Sequence, residues 1–159
     1  MSNEDIKVLQ IANARLLPEV VKLLGEGHTV TLPLRGNSMR PFLEDGRDKA
    51  LLSKPDAINV GDAVLAEIAP GHYVLHRIIG IADNHVTLLG DGNLNTEHCM
   101  LSDVKATVIG FFRKGRKTAD STSGIKWRIY SWWWTRLRPV RRYLLFLLHP
   151  HIPQRFKKQ

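Results

Sequence analysis

The chain has 159 residues, of which 43% are hydrophobic and 24% charged, enough for one ordinary hydrophobic core and not two. Dense apolar runs exclude disorder as the whole answer, and a single cysteine, Cys99, excludes a disulfide framework or a site of several thiolates. The net charge of +8 is unevenly spread: from Arg113 onward 13 Lys and Arg face one acid, Asp120, a net of +12, whereas residues 1–112 carry 10 bases and 14 acids, a net of −4.

An acidic body with a basic tail predicts an anionic partner for the tail, either phospholipid or nucleic acid. No stretch reaches the ~18 consecutive apolar residues of a spanning helix. The opening MSNEDIKVLQ lacks the basic-then-apolar layout of a secretory signal. The expectation is a soluble or peripheral protein of the cytoplasm.

Residues 5–24 read as helical, with Pro18 splitting the segment and Gly25 and Gly27 stopping it. From Thr29 to Arg35 polar and apolar residues alternate, which is a strand pattern. Lys49–Ser53, Ala63–Ile68, Tyr73–Ile81, Val86–Leu89 and Thr107–Arg113 continue it, with Gly, Asp and Asn turns between them. The predicted fold is mainly β, coiled or barrel-like, over residues 28–113 behind an N-terminal helical segment over 1–27. Residues 114–124, GRKTADSTSG and its flank, read as a linker, and 125–159 as a separate basic, aromatic tail of helical character.

The chemistry concentrates in three stretches. In Arg35-Gly36-Asn37-Ser38-Met39-Arg40-Pro41-Phe42-Leu43 a serine falls where a strand gives way to a turn. Such a serine can be exposed while its own N–H and that of Met39 point into the same space, as a nucleophile and an oxyanion hole require. A turn serine bonded to its own backbone is the plainer alternative. The second stretch, Tyr73-Val74-Leu75-His76-Arg77-Ile78-Ile79, holds an imidazole on an apolar strand, where a neutral histidine can accept a proton near pH 7. The alternative is a core histidine satisfied by a carbonyl. His28, His72 and His85 sit in turns and are expected to be solvated. In the third, Leu89-Gly90-Asp91-Gly92-Asn93-Leu94-Asn95-Thr96-Glu97-His98, either Asp91 or Glu97 could orient the base. No His or Cys spacing suits a metal, no Gly-rich loop leads into a helix with a following Lys-Ser/Thr, and no cofactor is expected.

Together these segments resemble signal peptidase I and its LexA-like relatives. Gly36-Asn37-Ser38-Met39-Arg40-Pro41 is similar to their Ser-Met-x-Pro box, Val60-Gly61-Asp62-Ala63-Val64 to their Gly-Asp-x-Val strand, Val74–Gly80 to the general-base strand and Leu89–Asn93 to the Gly-Asp-Asn box, in the family order over roughly residues 28–112. Most bacterial members and the LexA-like branch place Lys at the base position; His76 stands there in this chain, as in the endoplasmic-reticulum-type enzymes. The resemblance implies a serine endopeptidase with Ser38 as nucleophile, His76 as base and a peptide or protein substrate. It implies Glu97 near the place of the acid, Asp91 being the box aspartate, and an oxyanion hole of the Ser38 and Met39 backbone N–H groups, since Gly36 replaces the hydroxyl some members carry. A LexA-like self-cleaving regulator fits less well, because no Ala-Gly or Cys-Gly bond occurs. A non-enzymatic β binding domain held by its tail is the alternative from a different class.

All four tryptophans lie in the tail: Trp127, Trp132, Trp133 and Trp134, among Arg136, Arg138, Arg141 and Arg142. Aromatic rings favour the headgroup level and basic side chains snorkel toward anionic lipid, which predicts an interfacial helix broken near Pro139, on the inner face of the membrane. Packing of these rings on the β domain is the first alternative, and nucleic-acid binding a lesser one.

Overall fold

A computed structural model describes residues 16–148. The helix α1, seen over residues 16–25, carries Val20 and Leu24 into the core. It ends in a glycine-closed turn, with Gly27 at φ +90°, its N–H donating to the Leu24 carbonyl and the His28 N–H to that of Leu23. The expected helical residues before position 16 lie outside the described residues.

Eight strands follow: β1 (Val30–Pro33), β2 (Lys49–Ser53), β3 (Ala63–Ala69), β4 (His72–Ala82), β5 (His85–Leu89), β6 (Glu97–Met100), β7 (Val104–Phe112) and β8 (Asp120–Ser121). They form one antiparallel sheet in the order β1-β2-β7-β3-β4-β5-β6, with β8 beside β7. The sheet is open: β1 and β6 are its ends, so the barrel-like closure expected from the run of short strands does not occur, while the mainly β class does. Four irregularities of register, at Leu51/Leu52, Leu65/Ala66, Glu67/Ala69 and Ile78/Gly80, interrupt the ladder and bend it.

Central β3 explains the layering. Successive side chains of a strand leave by opposite faces, and every residue of Ala63-Val64-Leu65-Ala66 is buried. Ala63 and Leu65 join one core with Leu52, Val108, Phe111 and Trp127. Val64 and Ala66 join a second with Ile78, Val86, Leu88 and Val104. An apolar residue fully buried in either contributes roughly 1.5–3 kcal/mol.

The C-terminal segment corrects the expected division into domain, linker and tail. Within 114–124, β8 pairs Ser121 with Gly110 and Asp120 with Phe111, and the Thr122 hydroxyl donates to the Val108 carbonyl at 2.8 Å. This returns the chain to the sheet and launches α2 (Ile125–Arg136). Trp127 of α2 belongs to the first core. A single 3-10 turn (Arg138–Val140), starting beside Pro139, then separates α2 from α3 (Arg141–Leu148), where the break was expected. Among the described residues no helix is long and apolar enough to cross a membrane.

Candidate active site

Ser38 sits in the excursion between β1 and β2. The loop is closed at its base by the Leu34 N–H on the Asp48 carbonyl and the Gly46 N–H on the Leu34 carbonyl, each 3.0 Å. Asp48 is sealed beneath it. Its carboxylate accepts from the Glu44 and Lys114 backbone N–H groups, each at 3.0 Å, and from the Arg47 guanidinium at 2.8 and 2.9 Å. Burial pushes its pKa up, but those donors outweigh burial and hold it below the usual carboxylate value. The stretch from Asn37 to Phe42 is a compact turn containing a cis Arg40–Pro41 peptide, braced by an Arg40–Glu44 ion pair at 2.9 Å. Among the described residues no acceptor is paired with the backbone N–H of Ser38 or of Met39.

His76 and Arg77, adjacent on β4, leave the strand by opposite faces. The imidazole is buried, and its Nδ1 lies 2.7 Å from Oε2 of Glu97. The contact is a short approach in which neither atom reaches the alignment of a hydrogen bond. Burial pushes the His76 pKa down, and the nearby carboxylates of Glu97 and, more weakly, Asp91 restore only part of the loss, so the ring stays below the ordinary histidine value. It is therefore neutral near pH 7.

A cavity of about 300 Å³ opens over this pair. Its wall includes Ser38, Met39, Leu75, His76, Asn93 and Glu97, so the hydroxyl and the imidazole, distant in sequence, share one cleft. The glycines of Gly90-Asp91-Gly92 are what let the loops meet. A Cβ on Gly90 would lie 2.5 Å from the Ser38 carbonyl oxygen and 3.0 Å from His76 Nε2, and one on Gly92 would lie 2.6 Å from the Asn37 carbonyl oxygen. With no Cβ in the way, the Gly92 N–H donates to the Ser38 carbonyl at 2.8 Å. Ser38 and the Nε2 side of His76 are thus gathered around one point of the β5–β6 loop.

The two candidate acids part company. Glu97, the first residue of β6, stands against His76. Asp91 is completely buried and spends both carboxylate oxygens elsewhere: Oδ1 accepts from Arg77 Nε at 2.8 Å and Oδ2 from Arg77 Nη2 at 2.7 Å. The Arg77 Nη1 atom donates to the Gly61 carbonyl at 2.9 Å and to Ser131 Oγ at 2.6 Å, and its guanidinium lies 4.5 Å from the centre of the Trp127 ring. Tyr130 donates to Asp91 Oδ2 at 3.1 Å and Trp134 Nε1 to the Asp91 carbonyl at 3.1 Å. Asp91 as an orienting acid is corrected to Asp91 as the partner of a buried cation.

The tail residues also divide. Trp127, Trp134 and Arg141 are buried, the last donating to the Trp134 carbonyl at 3.0 Å, which is the packing alternative; the surface role expected of these three is corrected. Trp132, Trp133, Arg136, Arg138 and Arg142 are exposed. Phe42, four residues beyond Ser38, stacks on Tyr130 at 4.6 Å and meets Trp127 edge-on at 4.9 Å, so α2 braces the loop that carries the serine. His28, His72 and His85 are exposed, as expected, although His72 and His85 open β4 and β5 rather than sit in turns.

No known family model matches the chain, and no curated protein matches it in sequence. Sequence reasoning missed Tyr130 and Ser131, whose signal was the spacing of 127, 130, 131 and 134 on one helical face. It also missed the steric role of Gly90 and Gly92, which read equally well as turn residues.

Proposed function

We propose that the protein is a serine endopeptidase of the signal-peptidase type, with Ser38 as nucleophile, His76 as general base and Glu97 as the acid that orients it. The observation that carries the reading is the His76 Nδ1–Glu97 contact of 2.7 Å on the wall of the cavity that Ser38 also lines. The Glu97 carboxylate beside Nδ1 favours the tautomer that carries its proton there, which leaves Nε2 able to take a proton.

The Ser38 Oγ attacks the scissile carbonyl carbon while its proton passes to His76 Nε2. The carbonyl electron pair collects on oxygen, held by the N–H groups of Ser38 and Met39. Glu97 stabilises the imidazolium so formed. Collapse of the intermediate breaks the C–N bond, and His76 returns the proton to the departing amine. Water, deprotonated by the same imidazole, then adds to the acyl-enzyme and releases Ser38.

For substrate we propose a leader or signal-like peptide at the cytoplasmic side of a membrane, since the basic C-terminal surface suits an anionic inner leaflet. The test is cleavage of a leader-peptide library, read by mass spectrometry, with Ser38→Ala and His76→Ala. Each variant is expected to lose about 10⁶-fold in kcat with unchanged circular dichroism. Undiminished cleavage by Ser38→Ala would overturn the mechanism. An inactive wild-type chain whose Ser38 also resists an alkyl fluorophosphonate would favour the binding-domain alternative.

A further inference from the structure

Helix α2 is apolar on two faces. The inner one, Trp127, Tyr130 and Trp134, is spent on the core and on Asp91. The outer one includes Ile125, Ile129, Trp132 and Trp133, with the two indoles 51% and 55% exposed. A helix that only covers a sheet carries polar residues on its outer face, whereas these half-exposed rings belong to neither buried core. Helix α3 adds further exposed apolar side chains, with Phe146 70% and Leu147 74% exposed.

The charges that α2, α3 and the turn between them carry all have one sign, while Asp62 of the body shares a hollow with Arg128, Trp132 and Arg136. Lys126, Arg128, Arg136, Arg138 and Arg142 are all exposed, and no acidic residue occurs from Ser121 to the end of the chain. The Arg136 guanidinium lies 4.6 Å from the Trp132 ring centre, so charge and aromatic surface are presented together. Neither helix is long and apolar enough to span a bilayer.

We propose that the outer face of α2 and α3 is a docking surface for an anionic lipid bilayer, with Trp132, Trp133, Phe146 and Leu147 entering the headgroup–acyl boundary and the surrounding cations meeting lipid phosphates. A lipid surface fits better than a nucleic acid because the two indoles meet edge to face at 5.1 Å and 89°, which offers no parallel platforms for successive bases. The proposal goes beyond the peptidase reading and does not depend on it.

The full chain is mixed with vesicles of phosphatidylcholine containing phosphatidylglycerol and, separately, of phosphatidylcholine alone. Co-sedimentation with the anionic vesicles is expected, weakened by high salt, with a blue shift of tryptophan fluorescence. Replacing Arg136, Arg138 and Arg142 together by Gln is expected to lower partitioning about a hundredfold. The pair Trp132→Ser and Trp133→Ser is expected to abolish the blue shift while the melting temperature holds, since both rings are exposed. Failure of the wild type to bind anionic vesicles overturns the proposal, as does binding unchanged in the Trp pair. So does protection of the same face by self-association in sedimentation velocity, or by a single-stranded oligonucleotide where vesicles give none.

Discussion

Two short contacts with carboxylates stand side by side on β4 and differ in everything except length. His76–Glu97 and Arg77–Asp91 each close to 2.7 Å, and their first members are consecutive residues. The Arg77 pair is wholly sealed, with the carboxylate bound twice by the guanidinium and again by Tyr130. Both carboxylate oxygens and all three guanidinium nitrogens are engaged, so the pair fixes geometry. The His76 pair keeps a third of the Glu97 side chain exposed and lines the cleft together with Ser38. Such a contact thus reads as structural or reactive from what its remaining atoms face, and not from its distance.

The sharpest way to break the comparison is to neutralise each acid in turn. Glu97→Gln is expected to lower peptide cleavage about 10⁴-fold with little change in melting temperature, measured by steady-state kinetics alongside calorimetry. Asp91→Asn should do the reverse. It strands a buried guanidinium, at a cost of about 3–5 kcal/mol, seen as a lowered denaturation midpoint, while the fraction still folded retains most of its turnover. Equal loss of activity in both variants, at matched folded fraction, would dissolve the distinction.

Gly90→Ala probes the point where the two sites are joined. Its methyl would press on the Ser38 carbonyl and on His76 Nε2. About 1–3 kcal/mol of stability is expected to go, with about a hundredfold loss of kcat from displaced reacting groups. The smallest effect is on pH. Burial holds the folded-state pKa of His76 below its ordinary value near 6.5, so the unfolded chain takes up this proton first as pH falls. The stability due to neutral His76 is complete above about pH 6.5 and declines as pH drops from there through the folded-state pKa. The acid limb of kcat/KM should accordingly lie below 6.5, and His76→Asn should flatten this part of the stability profile in pH-dependent urea titrations.

The comparison also shows what the sequence made legible. The strand Lys49–Ser53 is found at the expected limits and β3, β4, β5 and β7 within a few residues of them, because their β-branched and apolar runs end at Gly, Asp or Asn. β6 escaped notice since Glu-His-Cys-Met has neither length nor clear alternation, and β8 is a two-residue pairing dictated by β7 alone. Asp91 and Glu97 could not be ranked because both follow a strand end. Their difference arises from Arg77 and Tyr130, contributed by β4 and by a helix 39 residues beyond Asp91. The division of the tryptophans was hidden for a related reason: with apolar residues on both sides of α2, periodicity alone cannot tell which side meets the sheet. Openness of the sheet, likewise, depends on β1 and β6 failing to meet, a long-range property with no local signature.

The hydrogen bond from the Gly92 amide to the Ser38 carbonyl ties a backbone atom of the serine to the loop that leaves β5. Deuterium entering at that amide requires the two loops to separate, so its exchange rate is a direct gauge of how often the cleft falls apart. A tightly seated peptide should slow that exchange without touching the proton itself, which gives a spectroscopic readout of occupancy even in a Ser38→Ala chain that can no longer turn over.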